Sequence, residues 1–245
     1  MTDEVEINNQ LVLVVGESGS GKSRSLKNIP NQKRWVYFNT ETGKRLPFKN
    51  EFQQVVVTDA YQLLAFLQEC VDNRDEIDGV IIDSLTFWFE MYVNQYVNGA
   101  SDGRAAWGQY FQNFVSLRTL IAQFGKPTII LAHTKQEYDE VSKKWKSAVP
   151  CQGQLKSNGV EASFSVVVAC KKETVKELEK YGSKMLDITD RERMLGFKHV
   201  YQTKLTASTT GERIRGPEDL FEDSETFIDN DAYKLLQHLS AYYGD

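Results

Sequence analysis

The sequence predicts a three-layer α/β fold, in which helices flank a mainly parallel sheet that gains an antiparallel extension near the C-terminus. Short apolar runs alternate with segments whose apolar residues recur at helical spacing, and the first run leads into a glycine-rich segment. Of the 245 residues, 41% are hydrophobic and 26% are charged, as in ordinary globular proteins. We therefore expect one domain over residues 1–245, with its core at about residues 10–220.

The first predicted strand, Leu11 to Val15, is an unbroken apolar run typical of a central strand buried on both faces. Helical spacing of apolar residues predicts crossover helices over residues 61–71 and 111–124, and a further helix begins near Lys22. Four more apolar runs, bounded by polar or turn residues, complete the predicted parallel core: Trp35 to Phe38, Val55 to Val57, Val80 to Ile82 and Thr128 to Leu131.

The second half of the chain combines a long polar segment with predicted strands and a closing helix. Residues 134–159 are polar, rich in lysine and without a core pattern, which predicts a long functional or mobile loop. Residues 162–170 predict another strand, and residues 184–188 with 199–205 predict an antiparallel hairpin that extends the sheet. Apolar residues at helical spacing predict a closing helix at about residues 230–242.

Composition excludes several classes of protein. The formal net charge of −5 argues against a globally basic nucleic-acid binder, although a local basic loop could still contact phosphates. Cys70, Cys151 and Cys170 lack metal-type spacing, so buried thiols are expected rather than disulfides or a zinc site. The acidic N-terminus has no signal-peptide pattern and no apolar run could span a bilayer, which predicts a cytoplasmic protein without a membrane partner.

Residues 16–23 match the G-x-x-x-x-G-K-[ST] pattern of a phosphate-binding loop, preceded by a strand and followed by a helix. Glycines let backbone N–H groups turn toward an anion, and the following helix presents its positive end. The motif predicts ATP and Mg²⁺ as ligands, with Lys22 on the β- and γ-phosphates and Ser23 on the metal. A glycine- and serine-rich surface turn is the alternative. The predicted nucleotide-contacting residues are Gly16, Glu17, Ser18, Gly19, Ser20, Gly21, Lys22, Ser23 and Arg24.

A second part of the site is Asp83, which follows the apolar run Val80 to Ile82. A carboxylate at this place, behind a phosphate-binding loop, would hold Mg²⁺ together with Ser23. Capping of the next helix is the alternative role for Asp83.

Three strand ends considered together, at Glu41, Asp83 and His133, resemble the RecA-like ATPase core. The resemblance is nearest to small phage-type AAA/RecA-like nucleotide-binding proteins, some of which are single-strand-annealing recombinases. It implies that Glu41 orients the attacking water and that His133 senses the γ-phosphate, although RecA itself usually has glutamine in place of His133. A solvated or capping glutamate and a structural histidine are the alternatives.

The resemblance also implies two loops that hold single-stranded DNA, through lysine contacts to phosphates and stacking of bases on tryptophan. The first candidate loop, residues 98–108, carries one cation and one aromatic residue, although its tryptophan could instead begin the following helix as a core residue. The second loop lies within residues 134–159 and also contains acidic residues that dilute its charge. The DNA-binding candidates are Arg104, Trp107, Lys135, Lys143, Lys144, Trp145 and Lys146.

Many RecA-like ATPases complete their site with a cation from a neighbouring subunit, which stabilises charge on the transferring phosphoryl group. Lys204, Arg213 and Arg215 are the candidates for this role, and surface solvation is the alternative for each. The same resemblance implies self-association as a ring or filament.

These features together predict a Mg²⁺-dependent ATPase that couples hydrolysis to single-stranded DNA binding in phage-type recombination or replication, in the host cytoplasm if phage-encoded. A replication or recombination protein is a further expected partner. One rival is a protein-remodelling ATPase such as a helicase loader. A small-molecule kinase is a third class, but the chain between Asp83 and Lys135 shows neither a lid nor clustered arginines.

Overall fold

The computed structural model describes residues 8–140 and 143–244. Residues 1–7, on which the argument from an acidic N-terminus depended, lie outside this range. The strands in the described residues are β1 (Leu11–Gly16), β2 (Trp35–Asn39), β3 (Gln53–Val56), β4 (Gly79–Asp83), β5 (Thr128–His133), β6 (Lys135–Asp139), β7 (Lys144–Ala148), β8 (Val166–Thr174), β9 (Phe197–Gln202) and β10 (Phe227–Asp229).

Eight of these strands form the central sheet, in the order β10-β9-β8-β1-β5-β4-β2-β3. The strands from β8 to β3 in this order are all parallel, whereas β9 pairs antiparallel with both β8 and β10. The predicted fold class is therefore confirmed, including the antiparallel extension.

The predicted composition of that extension was wrong. Residues 184–188 form no strand, and the partners of β9 are β8 and β10 instead of a neighbouring hairpin strand. The apolar side chains that suggested a strand, Leu186 and Ile188, pack against a small cluster with Leu178, Val200 and Phe227. Burial thus accounts for their pattern without a strand ladder.

Helices cover both faces of the sheet. Besides the α-helices, there are short 3₁₀ helices at Ser23–Asn28, Gln32–Arg34, Arg74–Glu76, Val160–Ser163 and Asp223–Thr226, and a π-helical turn at Val93–Val97. No helix in residues 8–140 or 143–244 is long and apolar enough to cross a membrane. The α-helices are α1 (Ala60–Asp72), α2 (Leu85–Tyr92), α3 (Gly103–Phe124), α4 (Gly153–Asn158), α5 (Val175–Leu178), α6 (Asp190–Leu195) and α7 (Ala232–Tyr243).

The alternation of side chains along β1 separates two hydrophobic cores. Leu13 and Val15 pack on one face with α1, α2 and α3, while Val12 and Val14 pack on the other face with the Ser23–Asn28 helix and α7. This arrangement makes the three predicted layers. The predicted closing helix is α7, which begins after the N-cap Asp231.

Three local predictions need correction. The helix after the glycine-rich loop is a single 3₁₀ segment that begins at Ser23, with Lys22 at its N-cap. The first candidate loop is shorter than expected, because α3 begins at Gly103. Residues 134–159 contain β6, β7 and α4, whose largely exposed strands lack the buried alternation that reveals strands in a sequence.

Candidate nucleotide-binding site

The predicted site residues meet at one edge of the sheet, since the carboxyl ends of parallel strands share an edge. Gly16 at the end of β1 is the register partner of His133 at the end of β5. Asp83 at the end of β4 is likewise the partner of Asn39 at the end of β2. Glu41 follows two residues beyond β2.

The loop between β1 and the Ser23–Asn28 helix has the backbone shape of a phosphate cradle. Gly19 and Gly21 take positive φ values of 75° and 107°, which side-chain-bearing residues rarely adopt. A Cβ atom on Gly21 would lie 2.7 Å from Asn230 Nδ2 and 2.9 Å from His199 Nδ1. Two side chains also hold the loop, because Asn230 donates a hydrogen bond to the Gly21 carbonyl and His199 contacts the Ser20 carbonyl.

Lys22 is 5% exposed, and its ammonium group lies inside the loop. Its Nζ donates hydrogen bonds to the carbonyls of Gly16 (2.8 Å) and Glu17 (2.9 Å) and lies 3.4 Å from His133 Nδ1. Burial lowers the pKa of Lys22. A buried ammonium group held by backbone carbonyls is stabilised by an added anion, which fits a phosphate group.

Ser23 and Asp83 supply oxygen atoms next to this cation. The Ser23 hydroxyl donates to Asp83 Oδ2 at 2.9 Å, and the Tyr37 hydroxyl donates to the same oxygen at 2.8 Å. Burial raises the pKa of Asp83, which is 3% exposed. A divalent cation bound to the Asp83 carboxylate would offset the free-energy cost of burying its negative charge.

The donor set fits Mg²⁺ better than a transition metal. The described residues contain no group of three or more His, Cys, Asp or Glu side chains that could hold a metal ion. Mg²⁺ instead uses one or two protein oxygens together with phosphate oxygens and water. Ser23 and Asp83 could therefore hold Mg²⁺ beside a bound triphosphate.

Thr40 fixes the ends of β2 and β4 against each other. Its hydroxyl donates to the Ser84 carbonyl and accepts from the Ser84 amide, both at 2.7 Å, and its amide donates to the Asp83 carbonyl. The Asp83–Ser84 peptide bond is cis. Thr40 thus holds the Asp83 carbonyl and the backbone of Ser84 by hydrogen bonds.

Glu41 and His133 are in contact, as predicted from their positions at the ends of two parallel strands. Glu41 Oε1 lies 3.0 Å from His133 Nε2, and Glu41 Oε2 lies 2.5 Å from Lys44 Nζ. Burial would raise the pKa of Glu41, but hydrogen bonds from His133 and Lys44 outweigh it and lower the pKa to about 2. Glu41 is therefore an ionised carboxylate at neutral pH.

One cavity of about 310 Å³ joins these groups. Its walls include the loop residues Gly19, Gly21, Lys22 and Ser23, the acidic pair Glu41 and Asp83, and also Arg24, Tyr37, Lys44, Leu46, Pro47, His133 and His199. A second cavity of about 330 Å³ lies against Gly16 to Ser20 and is lined by Lys171, Lys172 and Arg213.

Sequence reasoning missed Tyr37, Lys44, His199 and Asn230. Tyr37 lies inside an apolar strand pattern, where it reads as a core residue. Lys44 could have been found from its i,i+3 spacing to Glu41. The last two residues reach the loop from β9 and the end of β10, across about 180 and 210 positions of sequence, and no local pattern indicates such contacts.

The three candidate trans-acting cations all have partners within the chain. Lys204 pairs with Asp223 at 2.7 Å, Arg213 pairs with the buried Glu161 at 3.0 Å, and Arg215 donates to the Ala162 carbonyl at 3.4 Å. None of the three lines the cavity that contains Asp83 and Glu41.

The second set of DNA-binding candidates lies on the β6–β7 hairpin. Tyr138 and Trp145 are paired across its strands, with ring centroids 5.4 Å apart and exposures of 48% and 63%. Lys146 forms an ion pair with Asp139, so its charge is partly neutralised. The other basic candidates of this region are Lys135, Lys143 and Lys144. Lys143 is the first described residue after residues 141–142, which lie outside the described range.

The first set belongs to α3. Arg104 is exposed in its first turn, while Trp107 is partly buried, with its ring beside Gly153 and in edge contact with Tyr110. Trp107 therefore packs against the hydrophobic core.

The hairpin is joined to the phosphate-binding loop. Gln136 in β6 donates to the Glu17 carboxylate at 3.1 Å. On the other strand, the Ser147 amide donates to the Gly211 carbonyl at 2.9 Å, and a Cβ atom on Gly211 would lie 1.9 Å from the Trp145 carbonyl. These contacts fix the hairpin base beside the loop.

A parallel sheet whose first strand feeds a glycine-rich cradle, with a lysine inside it and a Ser–Asp oxygen pair beside it, defines a P-loop nucleoside triphosphatase. The family model described as "AAA domain" matches residues 8–204. The chain belongs to this family, and it is accordingly a nucleotide-binding P-loop ATPase. No match to the chain was found among curated proteins.

Proposed function

We propose that this protein is a RecA-like, Mg²⁺-dependent ATPase of phage-type recombination or replication, which couples ATP hydrolysis to the binding of single-stranded DNA. The whole chain would act as one domain, since α7 packs on the same core as the helix that follows the phosphate-binding loop. The proposal places this domain in the cytoplasm. The observation that carries the DNA-binding part is the exposed aromatic pair on a hairpin joined to that loop.

In the proposed hydrolysis, Lys22 binds the β- and γ-phosphates and the backbone N–H groups of residues 17–23 surround them. Ser23 and Asp83 would hold Mg²⁺, which neutralises charge on the phosphate oxygens. Glu41 orients the attacking water. Because the pKa of Glu41 is about 2, its carboxylate is a weak base at neutral pH and acts mainly by positioning. His133 fixes the rotamer of Glu41 and lies close enough to Lys22 to respond to the γ-phosphate.

The hairpin supports DNA binding through its shape and composition. Two exposed aromatic rings offer flat surfaces on which bases can stack regardless of sequence. Lys135, Lys143 and Lys144 lie on the same hairpin, where they can contact phosphates. Arg104 is a further candidate phosphate contact. Trp107, packed against the core, would support the neighbouring structure rather than stack on a base.

The test measures ATP hydrolysis with and without single-stranded DNA over a range of salt concentrations. We expect DNA to stimulate turnover, and we expect the stimulation to fall as salt rises. Replacing both Tyr138 and Trp145 with Ala should weaken DNA binding at least about tenfold, because stacking contributes roughly 1–3 kcal/mol per base.

Tyr242→Ala is the matched control, since Tyr242 is similarly exposed on α7 but belongs to no proposed site. If wild-type protein binds no single-stranded DNA at low salt, the DNA-binding proposal fails and a protein-remodelling ATPase such as a helicase loader becomes the better explanation.

Self-association as a ring or filament is part of the same proposal, with a neighbouring subunit donating a cation to the γ-phosphate. Lys204, Arg213 and Arg215 remain the candidates. Arg213 is the least suited, because removing it would leave Glu161, which is buried, without its cation. Mixing Lys22→Ala subunits with Lys204→Ala or Arg215→Ala subunits tests the idea: complementation in one pair would identify the cation, and its absence in both would contradict these two assignments.

A further inference from the structure

Phe197, the first residue of β9, is an aromatic side chain without a role in the site described above. It is 37% exposed, whereas most aromatic residues of the sheet are buried. It follows Met194 and Leu195, which are also exposed, and its ring touches the ring of His199 with centroids 6.0 Å apart.

The direction of β9 places Phe197 beyond the phosphate-binding loop. Residues 197, 199 and 201 point to the same face of the sheet, and Tyr201 belongs to the core beneath the Ser23–Asn28 helix. His199 contacts the Ser20 carbonyl and lines the nucleotide cavity. Phe197 lies two residues, roughly 7 Å, farther along the strand, at the edge where the parallel strands end.

A nucleoside triphosphate has its γ-phosphate at one end and its base at the other. Asp83, Glu41 and His133 mark the γ-phosphate end and lie on the β4 and β5 side of the loop. The opposite side is formed by β8 and β9, where His199 and Asn230 contact Ser20 and Gly21. With the γ-phosphate on the β4 and β5 side, the base would leave the loop toward β9.

We propose that the nucleobase of the bound nucleotide stacks on Phe197, with the His199 ring forming the floor between the base and the phosphates. The inference rests on the proposed ATPase function, because the P-loop must hold the phosphates for the base to reach this ring. Arg24, exposed beside Ser23 in the same cavity, would flank the α-phosphate and ribose.

The cavity offers one competing apolar surface, formed by Leu46 and Pro47 near Lys44. These residues lie on the Glu41 side of the loop, where a base would compete for space with the γ-phosphate and the attacking water. They are nevertheless the natural alternative, and Leu46→Ala separates the two sites.

The experiment compares the binding of Mg·ATP and of Mg·tripolyphosphate, which lacks base and ribose, by titration calorimetry. Phe197→Ala should weaken ATP binding about tenfold, because the base loses the ring on which it stacks. It should leave tripolyphosphate binding unchanged. Phe197→Trp should retain ATP affinity, and its added fluorescence should be quenched by ATP but not by tripolyphosphate.

Tyr242→Ala serves as the control and should change neither affinity. The proposal is overturned if Phe197→Ala weakens both ligands equally, if it weakens neither, or if Leu46→Ala alone weakens ATP. A wild-type protein that binds neither ATP nor tripolyphosphate would instead refute the proposed function, so the two failures are distinguishable.

Discussion

Glu41 and His133, separated by 92 positions in sequence, meet at 3.0 Å at the carboxyl ends of β2 and β5. This contact couples the two residues, because His133 and Lys44 together lower the pKa of Glu41 and keep its carboxylate ionised. If Glu41 orients the attacking water, Glu41→Gln should reduce the rate of ATP hydrolysis about a hundredfold or more while ATP binding persists. Glu51→Gln, a change at an exposed glutamate, is the control. Unchanged turnover in Glu41→Gln would remove Glu41 from the mechanism.

The same pair predicts a dependence of stability on pH. The pKa of Glu41 is about 2 in the folded protein and near its ordinary value of 4.5 when unfolded. The ionised carboxylate therefore stabilises the fold above about pH 4.5, and this contribution is lost as pH falls toward 2. The difference in unfolding free energy between wild type and Glu41→Gln should shrink over that range in denaturant titrations. A difference that stays constant with pH would contradict the assigned pKa.

The ionised carboxylate of Asp83 should affect stability in the opposite direction from that of Glu41. Burial raises its pKa, so its charge costs stability once pH exceeds the ordinary carboxyl value of 3.8. Asp83→Asn should raise the Tm at neutral pH, by about 2–4 °C for each kcal/mol regained, and should lower Mg²⁺-dependent hydrolysis about a hundredfold. Asp72→Asn, at an exposed residue of α1 that accepts a hydrogen bond from the Gln68 amide, controls for loss of a carboxylate. A lower Tm in Asp83→Asn would show that the hydrogen bonds to Ser23 and Tyr37 outweigh the burial of charge.

Replacement of Lys22 should abolish ATP turnover without unfolding the protein. Because burial lowers its pKa, the charged side chain reduces stability below the ordinary lysine pKa of 10.5, and the penalty fades as pH approaches that value. Lys22→Ala should therefore keep the fold, as seen by circular dichroism, while ATP turnover is abolished. Lys27→Ala, at an exposed lysine in the last turn of the same 3₁₀ helix, should retain turnover. If Lys22→Ala retains turnover, the assignment of residues 16–23 as the phosphate-binding loop is contradicted.

The hydrogen bond from Gln136 to Glu17 gives the proposed DNA-binding hairpin a direct contact with the loop that binds phosphate. Gln136→Leu should preserve DNA affinity and basal hydrolysis but reduce DNA stimulation severalfold, since the two sites lose their hydrogen bond. The measurement is turnover against DNA concentration, with Gln54→Leu on edge strand β3 as the control. Full stimulation in Gln136→Leu would show that any coupling runs by another route.

Much of the site could be predicted because its parts lie at the ends of buried parallel strands. The apolar runs before Gly16, Asp83 and His133 are visible in the sequence, and parallel pairing brings their ends together. The hairpin could not be predicted as strands, because β6 and β7 are exposed on most of their length and so show no period-two burial. The role of Tyr37 could not be predicted either, because a tyrosine within an apolar, buried strand has the pattern of a core residue.

Asn230 also changes how the functional unit should be delimited. The AAA domain match ends at residue 204, yet the side chain that supports the Gly21 carbonyl lies 26 positions beyond it, just ahead of α7. The neighbouring Asp231 similarly accepts from Asn28, at the end of the helix that follows the loop. A chain shortened to the matched segment would keep every motif residue but lose the hydrogen bonds that Asn230 and Asp231 make with Gly21 and Asn28. The residues that support the phosphate-binding loop therefore extend beyond the matched range 8–204.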